Sequence, residues 1–226
     1  MKRTNRSNII DFSYSPDGHH ICFSEQVGTS NILFQTSATS GFVCKQITSG
    51  CQDYSPTYSS DMKQIFFARQ EVNGLSIWSY DIEKTFLSNY VSGFNPCSLP
   101  NEPAILCTRS NSTGHNEIWK INFQTGTEEC IISDTQRSFT SPIVSPDGKW
   151  ILCVGSSNIN GPGFSYQNTD LFVARLDGSH FTQLTYHAAD DLSPVWSRDG
   201  KYIYFISQRG SATGTANIWR ISFLLD

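Results

Sequence analysis

Several things are missing from this 226-residue chain, and each absence narrows what it can do. There is no excess of positive charge: 16 lysines and arginines face 20 aspartates and glutamates, for a formal net charge of -4. Nucleic acid is therefore not expected as a partner. No apolar run approaches the roughly 18 residues of a membrane helix, so no membrane span is expected. The polar start MKRTNR also lacks the apolar stretch of a signal peptide. The seven cysteines, Cys22, Cys44, Cys51, Cys97, Cys107, Cys130 and Cys153, show no CxxC spacing, which speaks against a zinc ribbon or a dithiol redox site. The GxSxG, HExxH and P-loop signatures are absent too. No catalytic residue, metal ligand or cofactor is predicted.

What is present is repetition. FSYSPDGHHICF (Phe12 to Phe23), PIVSPDGKWILC (Pro142 to Cys153) and PVWSRDGKYIYF (Pro194 to Phe205) share one plan. In SPDG the proline presets a turn φ, the aspartate accepts backbone N–H groups and the glycine tolerates positive φ. Beyond the turn, apolar residues alternate as in a strand. Two weaker copies follow the same plan: YSSDMKQIFFA, with Met62 where glycine stood, and LPNEPAILC, with Asn101 at the aspartate position. Successive turn positions Asp17, Asp61, Asn101, Asp147 and Asp199 lie 44, 40, 46 and 52 residues apart. A period in the forties points to propeller blades.

Each period also carries a third strand with an aliphatic–aromatic pair: Ile77 and Trp78, Ile118 and Trp119, Leu171 and Phe172, Ile218 and Trp219, and a softer Ile32 and Leu33. A fourth strand ends in QITS, YVSG, IISD or QLTY. Polar lead-ins with a proline, DYSP and DLSP, open the second and fifth units. The expected fold is an all-β propeller of about five four-stranded blades, with repeats at about 9–50, 51–93, 94–134, 135–188 and 189–226. Because the fifth unit stops after a third strand, its last blade is either incomplete or latched by residues before Ile10. Trp219 is expected to be buried between blades.

With these repeats on the page, QLTYHAADDLSPVWSRDGKYIYFISQRG (Gln183 to Gly210) resembles the TolB-like β-propellers, a WD40-like, PD40-repeat family. The resemblance covers nearly the whole chain and is strongest in the last two repeats. It implies a fold but leaves the job open, since the family includes periplasmic translocation components, peptidase-attached propellers and oligosaccharide lyases. The five histidines His19, His20, His115, His180 and His187 are scattered over both ends of the expected barrel. That argues against the metal site of the lyase branch, which is the alternative reading.

The expected function is a non-catalytic scaffold binding an unidentified protein or peptide at the loops that join fourth to first and second to third strands. Candidate residues there are Asp53, Tyr54, Arg137, Phe139, His187, Asp190 and Asp191. Phe164 and Tyr166 join them, on an expected long loop from Gly155 to Thr169. The cysteines read as core fillers, Cys107 and Cys153 standing where Phe23, Phe67 and Phe205 stand in other units. An odd number of strand-embedded thiols suggests a reducing compartment. The cytoplasm is expected, with the periplasm as the alternative, and the chain is expected to be a monomer.

Overall fold

The structure, a computed structural model, describes residues 6–39, 43–161, 164–211 and 213–223. The fold is all-β, as the alternating patterns require, and its strands follow the repeats. The first repeat has β1 (Ile9–Tyr14), β2 (His20–Val27), β3 (Ser30–Ser37) and β4 (Cys44–Gln46). The second has β5 (Gln52–Tyr58), β6 (Gln64–Glu71), β7 (Gly74–Asp81) and β8 (Phe86–Ser92). The third has β9 (Phe94–Ser98), β10 (Ala104–Ser110), β11 (Asn116–Asn122) and β12 (Glu128–Ile132). The fourth has β13 (Arg137–Val144), β14 (Trp150–Gly161), β15 (Phe164–Arg175) and β16 (Thr182–Gln183). The fifth has β17 (Asp191–Trp196), β18 (Tyr202–Ser207) and β19 (Asn217–Ser222), a three-stranded sheet. A latch strand drawn from residues 1–5 lies outside the described residues.

Two compact units divide the chain: residues 1–107 with 122–126, and residues 108–121 with 127–226. In the first, Ile65 and Phe67 face Cys22, Leu33 and Tyr58. Phe66 points the other way, onto Tyr90 and Phe123. A sheet apolar on both sides is buried only between neighbours, which explains the unbroken IFFA of β6. In the second unit Leu152, Val154 and Leu171 of the fourth repeat pack on Ile203 and Phe205 of the fifth. All seven cysteines stand as thiols; Cys22, Cys107 and Cys153 are fully buried. Burial pushes the Cys22 and Cys153 thiols far up from their ordinary range.

The repeated turn is one hydrogen-bond device used four times. The hydroxyls of Ser15, Ser59, Ser145 and Ser197 donate to the aspartate two residues on at 2.5–2.7 Å. Each aspartate accepts the N–H of the residue two further along at 2.9–3.1 Å. Each serine oxygen also accepts the N–H that opens the second strand, at 2.9 Å. In the third repeat Leu99 replaces the serine, and only its backbone bond to Ala104 survives.

These serine and backbone donors hold the carboxyls of Asp17 and Asp199 below the usual range. At Asp61 and Asp147 partial burial pulls upward, and the same donors outweigh it. A folded-state pKa below the unfolded one adds stability above about pH 4, lost as pH falls through the folded value. Melting temperature should therefore drop between about pH 5 and pH 2, and Asp199→Asn should flatten that drop while lowering stability at neutral pH. An unchanged acid limb in the variant would contradict the account.

Met62 takes φ 60°, where Gly18, Gly148 and Gly200 take 70–75°. The left-handed region costs a side chain about 1–2 kcal/mol, and the entropy of an added glycine takes back about half of the relief. Met62 is also largely exposed, so little packing is lost. Met62→Gly should raise the melting temperature by about 1–2 °C, read by calorimetry.

Three expectations are corrected by the fold. The residues from Gly155 to Thr169 are not a loop: β14 and β15 pair without a break from Trp150–Arg175 to Gly161–Phe164, forming a long hairpin. Glycines and asparagines made the stretch read as loop, although the pairing uses only backbone groups. The aliphatic–aromatic pair of the first repeat is Leu33 and Phe34, because Phe34 opposes Phe23 as Trp78 opposes Phe67 and Phe172 opposes Cys153. Trp219 is not buried between blades but 38% exposed.

Candidate functional site

The loops joining fourth to first and second to third strands emerge at one end of each sheet, and beneath them lies a bracket absent from the sequence reading. In the second repeat Arg69 Nε donates to Asp53 Oδ1 at 2.7 Å, and its Nη2 to Asp53 Oδ2 at 3.0 Å. Its guanidinium lies 4.3 Å from the Trp78 ring centre. The fifth repeat copies this arrangement, with Arg209 on Asp191 and over Phe205 and Trp219. In the third, Arg109 pairs with Glu128 at 2.7 Å over Trp119. In the first, Arg6 pairs with Glu25 at 2.6 Å and lies 3.8 Å from the Phe34 ring centre. The fourth puts Arg137 over Phe172. All five repeats thus stack an arginine on the third-strand aromatic.

Its signal was present but dispersed. Asp53 and Asp191 stand at the head of the DYSP and DLSP lead-ins, Arg69 and Arg109 lie near the ends of the second strands of their repeats, and Arg209 lies two residues past the end of its own. In the first repeat the arginine precedes β1 and in the fourth it opens β13, so no fixed spacing reveals it.

The candidate residues separate into two groups. Asp53 and Asp191 are fully buried in ion pairs and present no carboxylate to solvent. Phe139 is fully buried as well, edge-on to Phe172 and Phe181. Tyr54 and Arg137 are half-buried; His187 and Asp190 are exposed. Asp190 braces the hairpin base by accepting from Thr169 N at 2.9 Å and Thr169 Oγ1 at 2.7 Å. His187 Nδ1 accepts from Ala189 N at 3.0 Å. Tyr54 donates to Gln52 Oε1 at 3.1 Å, and the same oxygen accepts from Asn31 Nδ2 at 2.7 Å. The backbones of Phe164 and Tyr166 belong to β15; their side chains lie outside the described set.

At the same end of the third repeat, in the second compact unit, a pocket of about 330 Å³ is lined by Asn111, His115, Glu117 and Asp134 among others. Asn111 Oδ1 accepts the N–H groups of Thr113 and His115 at 3.0 Å. Asn111 Nδ2 donates to Glu117 Oε1 at 3.0 Å, and Trp119 Nε1 donates to Glu117 Oε2 at 3.0 Å. Among the described residues no group of three or more His, Cys, Asp or Glu side chains is gathered as a metal site would need. Among them, too, no helix is long and apolar enough to cross a membrane.

No protein-family model matches the sequence. Solved structures do match the fold. A TolB protein from Agrobacterium tumefaciens is 18% identical with a TM-score of 0.64, over 95% of this chain and 74% of that one. TolB from Acinetobacter baumannii is 20% identical with a TM-score of 0.69, over 89% and 52%. An oligogalacturonate lyase from Vibrio parahaemolyticus is 15% identical with a TM-score of 0.62, over 91% and 62%. The chain therefore spans about three quarters of the first of these relatives and about half of the second, and at these identities what it shares with all three is the TolB-like propeller fold.

Proposed function

We propose that the chain is a non-catalytic scaffold that binds a protein or peptide at the loop end of its repeats, the five repeats acting as one propeller of the PD40 kind. The observation that carries this reading is the bracket. In each repeat an arginine stacked on the third-strand aromatic stiffens the base of that repeat's loops, and in the second compact unit Gln136, Tyr186 and His187 are exposed at the loop end. Exposed loops on a rigid base are where binding residues concentrate. Tyr54, Arg137, His187 and Asp190 are the contact residues of this reading. Asp53, Phe139 and Asp191 support them from beneath, and Phe164 and Tyr166 on the hairpin serve as aromatic anchors. The TolB likeness supports the periplasmic alternative over the cytoplasmic one.

A second reading, a carbohydrate-acting enzyme, draws on the likeness to an oligogalacturonate lyase and on the pocket that holds His115, Glu117 and Asp134. Purified protein assayed for bound manganese and zinc, and for cleavage of oligogalacturonate, separates the two. The scaffold reading expects neither. Stoichiometric metal and cleavage, both lost in His115→Ala and His187→Ala, would overturn it.

A further inference from the structure

Four of the bracket arginines are answered by a carboxylate of this chain, and one is not. Arg6 pairs with Glu25, Arg69 with Asp53, Arg109 with Glu128 and Arg209 with Asp191. Arg137 lies 5.4 Å from the Phe172 ring centre, but among the described residues of the second compact unit no carboxylate or other acceptor takes its N–H groups.

Strand register shows why the fourth repeat differs. Asp53 faces Arg69 across β5 and β6. In the fourth repeat those two places hold Phe139 and Gly155, which face each other across β13 and β14. Phe139 is fully buried, so a ring stands where the second and fifth repeats put an acid. No side chain fits at Gly155, because the rings of Phe139 and Phe172 occupy its space. The guanidinium therefore comes from Arg137, at the start of β13, and it comes without its acid.

The charged groups around it do not supply one. Asp170 lies near enough to feel the charge of Arg137. Its carboxylate is buried and accepts instead from Asn168 Nδ2, Gln183 Nε2 and Thr185 Oγ1. Arg209, the other cation beside Asp170, is committed to Asp191. Arg137 is half-buried, and none of its nitrogens is sealed from solvent. A guanidinium stacked on a ring is held in orientation. Its fork of N–H donors matches a planar carboxylate through two parallel bonds.

We propose that Arg137 takes a carboxylate of the bound peptide, which completes in the fourth repeat the bracket that the chain's own acids complete in the others. The inference rests on the scaffold reading and names the chemistry of its partner: an acidic side chain or a free C-terminus, held beside Phe172.

Nuclear magnetic resonance of the arginine Nε–H groups tests this, with each signal identified by its loss in a lysine variant. Three probes are used: acetyl-Tyr-Glu-Tyr-amide, its glutamine analogue, and acetyl-Tyr-Gln-Tyr with a free C-terminal carboxylate. A carboxylate probe should move the Arg137 signal saturably, at concentrations about tenfold below those the amidated glutamine probe needs. The signals of Arg69 and Arg209 should stay in place, because their forks are occupied. Whichever carboxylate probe binds more tightly assigns the source. In calorimetric titration Arg137→Lys, which keeps the charge and loses the fork, should bind that probe about tenfold more weakly. Arg137→Glu should lose it and bind acetyl-Tyr-Lys-Tyr-amide instead. Thermal unfolding sets a temperature at which each variant is folded, and the wild-type comparison of probes decides by itself should a variant not fold. Equal responses to the carboxylate and amidated glutamine probes, or an Arg137 signal unmoved at about 10 mM probe, would overturn the proposal. Either result, with partner capture at the loop end intact, removes the carboxylate and leaves the scaffold reading standing.

Discussion

Arg69→Ala is expected to destabilise the first compact unit by about 3–5 kcal/mol, because it leaves the Asp53 carboxylate buried with no counter-charge. Asp53 is fully buried, and both of its oxygens are taken by Arg69. Exposed ion pairs contribute at most about 1 kcal/mol, so burial decides the size of the effect. The variant also loses the guanidinium stacked on Trp78. In urea unfolding the midpoint should fall sharply, with a melting temperature lower by about 10 °C. The double variant Arg69→Met with Asp53→Leu should recover much of the loss, since no uncompensated charge remains. A single-variant cost below about 1 kcal/mol would show that water reaches the pair and that the bracket is a surface feature.

Gly155→Val should be nearly as damaging in the second compact unit. A Cβ built on Gly155 would lie 2.4 Å from Phe172 Cε2 and 2.8 Å from Phe139 Cε1. Both rings are buried and packed against each other and Phe181, so neither can swing into solvent. Forcing extra carbons into a filled core costs about 1–3 kcal/mol. Alanine should cost near the lower end and valine more, and Phe172→Leu should offset part of the alanine cost by vacating the clash. Alanine tolerated within about 0.5 kcal/mol would mean that the rings yield.

Much of the fold was legible because the turn writes its chemistry in adjacent residues. Ser15, Asp17 and Gly18 each perform in the structure the role that their type and order predict, and Met62 adopts the glycine conformation that its place demands. Cys107 and Cys153 were readable as core for the same reason, being aligned by a fixed offset from the turn. What could not be read depends on residues meeting across strands. The pairing of Arg69 with Asp53 joins β6 to β5, and that of Arg6 with Glu25 uses a residue outside any strand. The shift from Ile32 and Leu33 to Leu33 and Phe34 needed the register of β2 against β3, since three consecutive apolar residues fit either frame. The hairpin from Gly155 onward failed for the opposite reason: backbone pairing can carry a strand through residues of low β propensity. Of the candidate site, the loop end was legible from strand order. The burial of Asp53 and Asp191 beneath it was not, because polarity at a strand start suggests solvent until its partner is seen, and Phe139 needed the ring contacts with Phe172 and Phe181 that only the folded strands provide.

The most direct measurement of the proposed role is capture from a lysate of the source organism with a photoreactive residue at His187, at the loop end, and separately at Asp177, on the turn leading into the fourth strand. Both positions are exposed, so the probes differ in place and not in access. The account predicts one covalent adduct, formed from His187 and not from Asp177, that a variant with the exposed Tyr186 replaced by alanine no longer captures at unchanged melting temperature. Adducts formed equally from both positions, or only from Asp177, would contradict it.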